Sequence, residues 1–172
     1  MKRFLGGIFG GATTDDSGVA ALYAAIVARG REPHWYLAGA VPDTMDGRFD
    51  MIAAILSLVL IRLEADPAAA PASVALTETF IEDMDAQLRQ SGIGDVGLGK
   101  YVGQMVSMLG GRLGAYREGL AAGDLRGPLL RNLYRGVDPG ASALTHVADA
   151  LSDFTARLAE QPSPVIIAGM LP

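Results

Sequence analysis

Two short stretches gather the residue types that could do chemistry. Val41 to Asp50 reads V-P-D-T-M-D-G-R-F-D and sets Asp43, Asp46, Asp50 and Arg48 around a turn. Asp83 to Asp95 reads D-M-D-A-Q-L-R-Q-S-G-I-G-D and holds Asp83, Asp85, Arg89 and Asp95. Its D-x-D opening is that of a calcium loop, but the rest of the pattern fails. With Asp83 as position one, position five is Gln87, the glycine needed at six is Leu88, and the bidentate glutamate needed at twelve is Gly94. His34 and His146 are too far apart to share a helix face in an H-x-x-x-H or H-E-x-x-H arrangement, so a joint metal site would need them to meet across the fold. There is no G-x-x-x-x-G-K-[ST] phosphate loop, no G-x-S-x-G elbow and no C-x-x-C-H haem site.

The same acids have a structural explanation. Asp43, Asp46 and Asp95 stand where helices begin, and a carboxylate there satisfies free backbone N–H groups at the positive end of the helix dipole. Asp85 and Arg89 are four apart, the spacing of a local ion pair. Arg48, Arg89, Arg112 and Arg131 each abut an inward-facing apolar position, and pairing with Asp43, Asp46, Asp83 or Asp85 would let them cross-link helices. The residues thus point to no catalytic group, no cofactor site and no metal site. The expectation is a protein that is not an enzyme.

The elements that must position these side chains are helical. Val19, Leu22, Tyr23, Ile26 and Val27 mark one stripe of a first helix over about 17–29, ended by Gly30 and Pro33. After the turn, Phe49, Ile52, Leu56, Val59 and Leu63 form one stripe and Met51, Ile55 and Leu58 another, so the second helix is apolar almost all round and belongs at the centre. Ala65 to Ser73 reads as a connection of freely variable length. A third helix over about 73–91 turns Phe80, Ile81, Met84 and Leu88 inward. A fourth carries Leu98, Val102, Met105, Leu109, Leu113, Tyr116 and Leu120 at near-heptad steps. Gly97, Gly99, Gly103, Gly110, Gly111 and Gly114 share that helix, which predicts a neighbouring helix at close range. Two more helices follow, over about 125–135 and 141–161, and Val165 to Ile167 shows a faint strand signal. The prediction is an all-α, single-domain bundle of about six helices over 16–161, with tails at 1–15 and 162–172.

Bulk composition narrows the function. The 172 residues are 50% hydrophobic, enough for one sizeable core. A formal charge of −5 disfavours a nonspecific grip on nucleic acid. With no cysteine, disulfides, thiolate metal sites and cysteine nucleophiles are excluded, and the reducing cytoplasm suits the chain. The longest apolar run, Met51 to Ile61, is about half of the ~20 residues of a membrane-spanning helix. Phe4, Leu5, Ile8 and Phe9, with Lys2 and Arg3, would let the N-terminal tail touch a membrane.

The two acidic segments together resemble the signature of the ubiquinol-cytochrome c chaperone family. The G-R-L-G-A-Y-R run at Gly111 to Arg117, the R-N-L-Y run at Arg131 to Tyr134, and His34, Trp35 and Tyr36 ahead of Val41 and Pro42 extend the likeness over roughly 19–134. The resemblance implies a helical assembly chaperone for respiratory complex III, with no cofactor and no reaction. Its implied partners are a protein client, cytochrome b, and a small partner protein. The first helix starts about a dozen residues into the sequence and no arginine-rich leader precedes it, so the expected address is the bacterial cytoplasm, peripheral to the inner membrane. On this reading the client or partner surface comprises Trp35, Tyr36, Val41, Pro42, Asp43, Thr44, Asp46, Arg48, Asp85, Arg89, Asp95, Arg112 and Tyr116. Met45, Met51, Met84, Met105 and Met108 are candidates for adaptable contacts. The rival is a helical module holding a quinone or lipid between the second and fourth predicted helices, where glycines leave room.

Overall fold

A computed structural model describes residues 15–90 and 98–172, with side chains for 18–86 and 103–172. Among the described residues the chain forms α1 (Asp15–Gly30), α2 (Pro33–Leu37), α3 (Met45–Leu63), α4 (Ala70–Gln90), α5 (Leu98–Ala122), α6 (Arg126–Asn132), α7 (Ala141–Glu160) and α8 (Ser163–Ile167). No strand occurs among them, and the chain is a single all-α domain, as its periodicity predicts.

The apolar circumference of α3 decides the architecture. Every residue from Asp50 to Leu60 is buried, and α1, α4, α5 and α7 pack around it. The outer helices turn the stripes read from the sequence towards it: Val19, Leu22 and Ile26 from α1, Leu76, Phe80 and Met84 from α4, Met105, Leu109 and Tyr116 from α5, and Val147, Leu151, Phe154 and Leu158 from α7. Each such large side chain contributes about 1.5–3 kcal/mol by leaving water. Arg62, at the far end of α3, donates to the carbonyls of Leu158 (3.0 Å) and Gln161 (2.6 Å), satisfying the free end of α7.

Four expectations change. Pro33 does not merely stop α1, because it opens α2 in the first turn of a helix, where its missing N–H costs nothing. The Ala65 to Ser73 connection is not of free length, since Asp66 caps a 3-10 turn at Pro67–Ala69 and Ala69 and Ala72 are buried. The C-terminal segment is not a tail and Val165 to Ile167 is not a strand. It forms α8, which packs on α1 with Ile166 fully buried, and Gly169 lies so close to α1 that a Cβ there would stand 2.8 Å from the Ala21 backbone. Finally, the glycines at 103, 110, 111 and 114 of α5 admit no neighbouring helix among the described residues, whereas Gly119, not singled out in the sequence, lets Pro128 of α6 approach to 2.8 Å of where its Cβ would be. A Cβ at Gly103, Gly110, Gly111 or Gly114 would meet nothing within 4 Å. Gly97 and Gly99 lie outside the residues with described side chains.

Candidate functional site

The acidic turn is built from its carbonyls outward. Pro42 directs its carbonyl at the start of α3, and a Cβ on Gly47 would stand 2.0 Å from that oxygen, so only glycine fits. Thr44 caps the helix by accepting from the Gly47 N–H at 3.1 Å. Asp43 and Asp46 are then free for other work. Asp43 accepts from Arg48 Nε at 2.7 Å, and Asp46 accepts from Arg135 Nη1 at 2.7 Å.

Behind the turn lies an ionic centre that the sequence reading did not single out. Asp50 is 1% exposed. One carboxylate oxygen accepts from Arg112 of α5 at 2.5 Å and the other from Arg135, just past α6, at 2.6 Å. Burial raises the Asp50 carboxyl above its ordinary range, and the Arg135 and Arg112 guanidiniums only partly pull it back. The Arg112 guanidinium also lies 5.4 Å from the Phe49 ring centroid, and Phe49 stacks on Phe80 of α4 at 5.7 Å. Arg135 adopts a left-handed backbone, φ 53°, where a non-glycine residue is strained by about 1–2 kcal/mol. Its side chain bridges Asp50 and Asp46. The network ties α3, α4, α5 and the α6 end together beneath the turn.

The aromatic approach has a task within the fold itself. Trp35 donates from its indole N–H to the Arg29 carbonyl and Tyr36 from its hydroxyl to the Gly30 carbonyl, each at 2.7 Å, which satisfies the end of α1. Trp35, Val41, Arg112 and Tyr116 are all buried and shape the surface from beneath rather than line it. Tyr134 does the same, donating to the Gly39 carbonyl at 2.6 Å.

Pro42, Asp43, Thr44, Asp46 and Arg48 are exposed around the turn and Tyr36 is half-buried beside it. Two adjoining depressions open there. One of about 510 Å³ is lined by Arg31, Pro33, Tyr36, Leu37, Asp43 and Arg48, and one of about 290 Å³ shares Arg31, Asp43 and Arg48 and adds Met45, Phe49 and Met84. Leu37 is 84% exposed and Met45 66%, large fractions for apolar side chains side by side with a charged rim. Of the other methionines, Met108 is 45% exposed while Met51, Met84 and Met105 are core. Asp85 is partly buried on α4, apart from the residues that line the depressions. The side chain of Arg89, and Asp95 altogether, lie outside the described residues, as do residues 1–14 with the expected membrane-touching tail.

His34 and His146 do meet. His34 Nδ1 is 3.0 Å from His146 Nε2, and His34 Nε2 is 3.1 Å from a Glu32 carboxylate oxygen. With the Glu32 carboxylate accepting from His34 Nε2–H, His34 Nδ1 is left as the acceptor and His146 Nε2 as the donor, a hydrogen-bonded chain that fastens α2 to α7. Among the described residues no group of three or more His, Cys, Asp or Glu gathers around a point where an ion could sit. No described helix is long and apolar enough to cross a membrane.

With this geometry in hand, the comparisons are decisive. The family model for "Ubiquinol-cytochrome C chaperone" matches residues 38–171. The chain belongs to that family. A solved structure, the crystal structure of the Cbp3 homolog from Brucella abortus, matches with a TM-score of 0.81 and 30% identity, covering 91% of this chain and 88% of that one. No match is found among curated proteins. The span matched by the chaperone model runs past Tyr134 through α7 and α8, so the likeness extends further towards the C-terminus than the motifs alone indicate. It begins at residue 38, after α1 and the aromatic approach that the motif likeness includes.

As a chaperone of this family the chain carries an assembly role. The residues missed by sequence reasoning are Asp50, Arg135, Leu37 and Arg31. Asp50 did leave a signal, since it lies four and seven residues before Ala54 and Ser57, both of them inward on α3. Leu37 left none. The quinone-binding rival gains no room from the glycines, which face outward, while Met51, Ile55, Leu58, Leu109 and Tyr116 fill the core that α3 and α5 share.

Proposed function

We propose that this chaperone binds unassembled cytochrome b during biogenesis of the cytochrome bc complex, at the platform formed by the Val41 to Arg48 turn and α2. Family membership supports the assembly role. The observation that carries the site is the pair Leu37 and Met45, exposed beside a turn that a buried ion-pair network holds in place. An apolar client needs such side chains for contact, and Arg31, Asp43 and Arg48 around them keep the free protein in solution. The chain acts by holding, without bond-making, next to the inner membrane on its cytoplasmic side.

The test is capture of cytochrome b by the tagged full-length protein in its own host. Wild type should enrich it, and the Leu37→Asp, Met45→Asp double variant should lose most of that enrichment while keeping its helical circular dichroism. A folded double variant that captures cytochrome b as well as wild type would remove the platform from the account.

A further inference from the structure

Among the described residues, the one hydrogen bond between α2 and α7 joins two imidazoles. His34 Nδ1 stands 3.0 Å from His146 Nε2, and the other ring nitrogen of His34 stands 3.1 Å from the Glu32 carboxylate. Both rings are half-buried, so protons from solvent reach them. Leu37, the exposed apolar contact of the platform, lies three residues after His34 and so one turn on, along the same side of α2. The other polar ties of α2, from Trp35 and Tyr36, run to the end of α1.

A hydrogen bond between two imidazoles needs one nitrogen that carries a proton and one that does not. The neutral pair meets this need. So does the pair with one added proton, which the Glu32 carboxylate favours. With two added, both facing nitrogens carry hydrogen and both rings carry positive charge, so attraction turns to repulsion. The surrounding charges do not relieve it. Glu32 is already held by Arg29 at 3.4 Å, and Arg31 beside it is a further cation. On α7, Asp149 is exposed and lies near Arg126 of α6, while Asp153 pairs with Arg157. Arg131 of α6 borders α5. The charged groups of α3 are committed elsewhere: Asp46 and Asp50 to Arg135, Arg48 to Asp43, and Arg62 to the end of α7.

We propose that the His34–His146 pair is a proton-operated latch on the client platform, holding α2 against α7 while one facing nitrogen is bare and freeing α2, with Leu37, when both are protonated. The latch builds on the client reading above and gives that surface a regulator. Its operating range is the interval of about pH 8 to 5 in which imidazoles change charge.

Trp35 is the single tryptophan, 1% exposed, with its ring 3.9 Å from that of His34, so its emission reports on α2 alone. In the full-length protein that emission should move to longer wavelength as pH falls from about 8 to 5, with helical circular dichroism retained. His146→Gln, whose amide donates to His34 Nδ1 but takes up no proton, should abolish the shift. His146→Ala, which removes the latch, should show the shifted emission already at the neutral end. Capture of cytochrome b from detergent-solubilised host membranes should be lost at the acid end by wild type and kept by His146→Gln. An acid shift in His146→Gln as large as that of wild type overturns the latch, and so does a His146→Ala spectrum that matches neutral wild type. Equal capture by wild type at both ends would also overturn the proposal, because the latch would not reach the platform. Wild type that captures no cytochrome b at any pH overturns the client reading itself, a failure told apart because the Trp35 measurements need no client.

Discussion

Asp50 is the residue on which the platform turns. A carboxylate at 1% exposure is tolerable only because Arg112 and Arg135 both hold it, and removing one member of such a buried set leaves an uncompensated charge. Asp50→Asn should therefore lose about 3–5 kcal/mol of stability, measured as a drop in the urea midpoint at unchanged slope. A loss below about 1 kcal/mol would mean that the network is dispensable. At this level the sequence was half legible. The acids around Val41 to Asp50 were visible as a cluster and Asp43 was among the candidate partners of Arg48, but the cap expected of Asp43 and Asp46 falls to Thr44. The partner of Asp50 was not, because the choice among Arg112, Arg131 and Arg135 depends on where α6 ends, and nothing local marks Arg135 as the residue bent into the left-handed region.

Among the elements, two sets of glycines separate by what their Cβ would meet. Gly47 has the Pro42 carbonyl at 2.0 Å, whereas Gly110 and Gly111 on α5 have open space. Gly47→Ala should open the acidic turn and destabilise the fold. Gly110→Ala and Gly111→Ala should each stabilise it by up to about 1 kcal/mol, because alanine is the better helix former. Thermal melts of the single variants check both signs, and stabilisation by Gly47→Ala would contradict the turn geometry. The amphipathic stripes of α1, α4 and α7 were readable because one face of each is buried against α3 at the helical period. What periodicity could not show is which α5 glycine is approached, since Gly119 has Pro128 of α6 2.8 Å from where its Cβ would be while Gly110 and Gly111 open onto space. Short α2 and α8 escaped for a related reason, since five residues carry too little period to separate from a turn.

For the whole molecule, half-buried Tyr23 and buried Tyr134 tie elements together through hydroxyls that donate to Asp83 and to the Gly39 carbonyl, while the buried Tyr116 hydroxyl has no partner among the described residues. Burial pushes Tyr134 up to about 12, and raises Tyr23 and Tyr116 as well. A phenol whose folded value exceeds its unfolded value of about 10 gives stability that is fully present below pH ~10. That stability is lost as pH rises towards about 12 for Tyr134. Denaturation midpoints should accordingly fall across this window, and Tyr134→Phe should flatten part of the fall. A variant with the wild-type slope would show that Tyr134 ionises freely. The all-α class and the central place of α3 were legible from hydrophobic pattern alone, and the family from motif order. The docking surface was legible only in outline, because exposure of Leu37 depends on how α2 sits against α7.

The proposed client contact at the exposed turn makes assembly of the cytochrome bc complex depend on Leu37 and Met45. The most direct measurement is the reduced-minus-oxidised haem b spectrum of membranes from a strain lacking the protein, complemented with wild type or with the Leu37→Asp, Met45→Asp variant. Loss of the cytochrome bc signal is expected in the deletion strain, recovery with wild type, and no recovery with the folded variant. An undiminished signal in the deletion strain would contradict it.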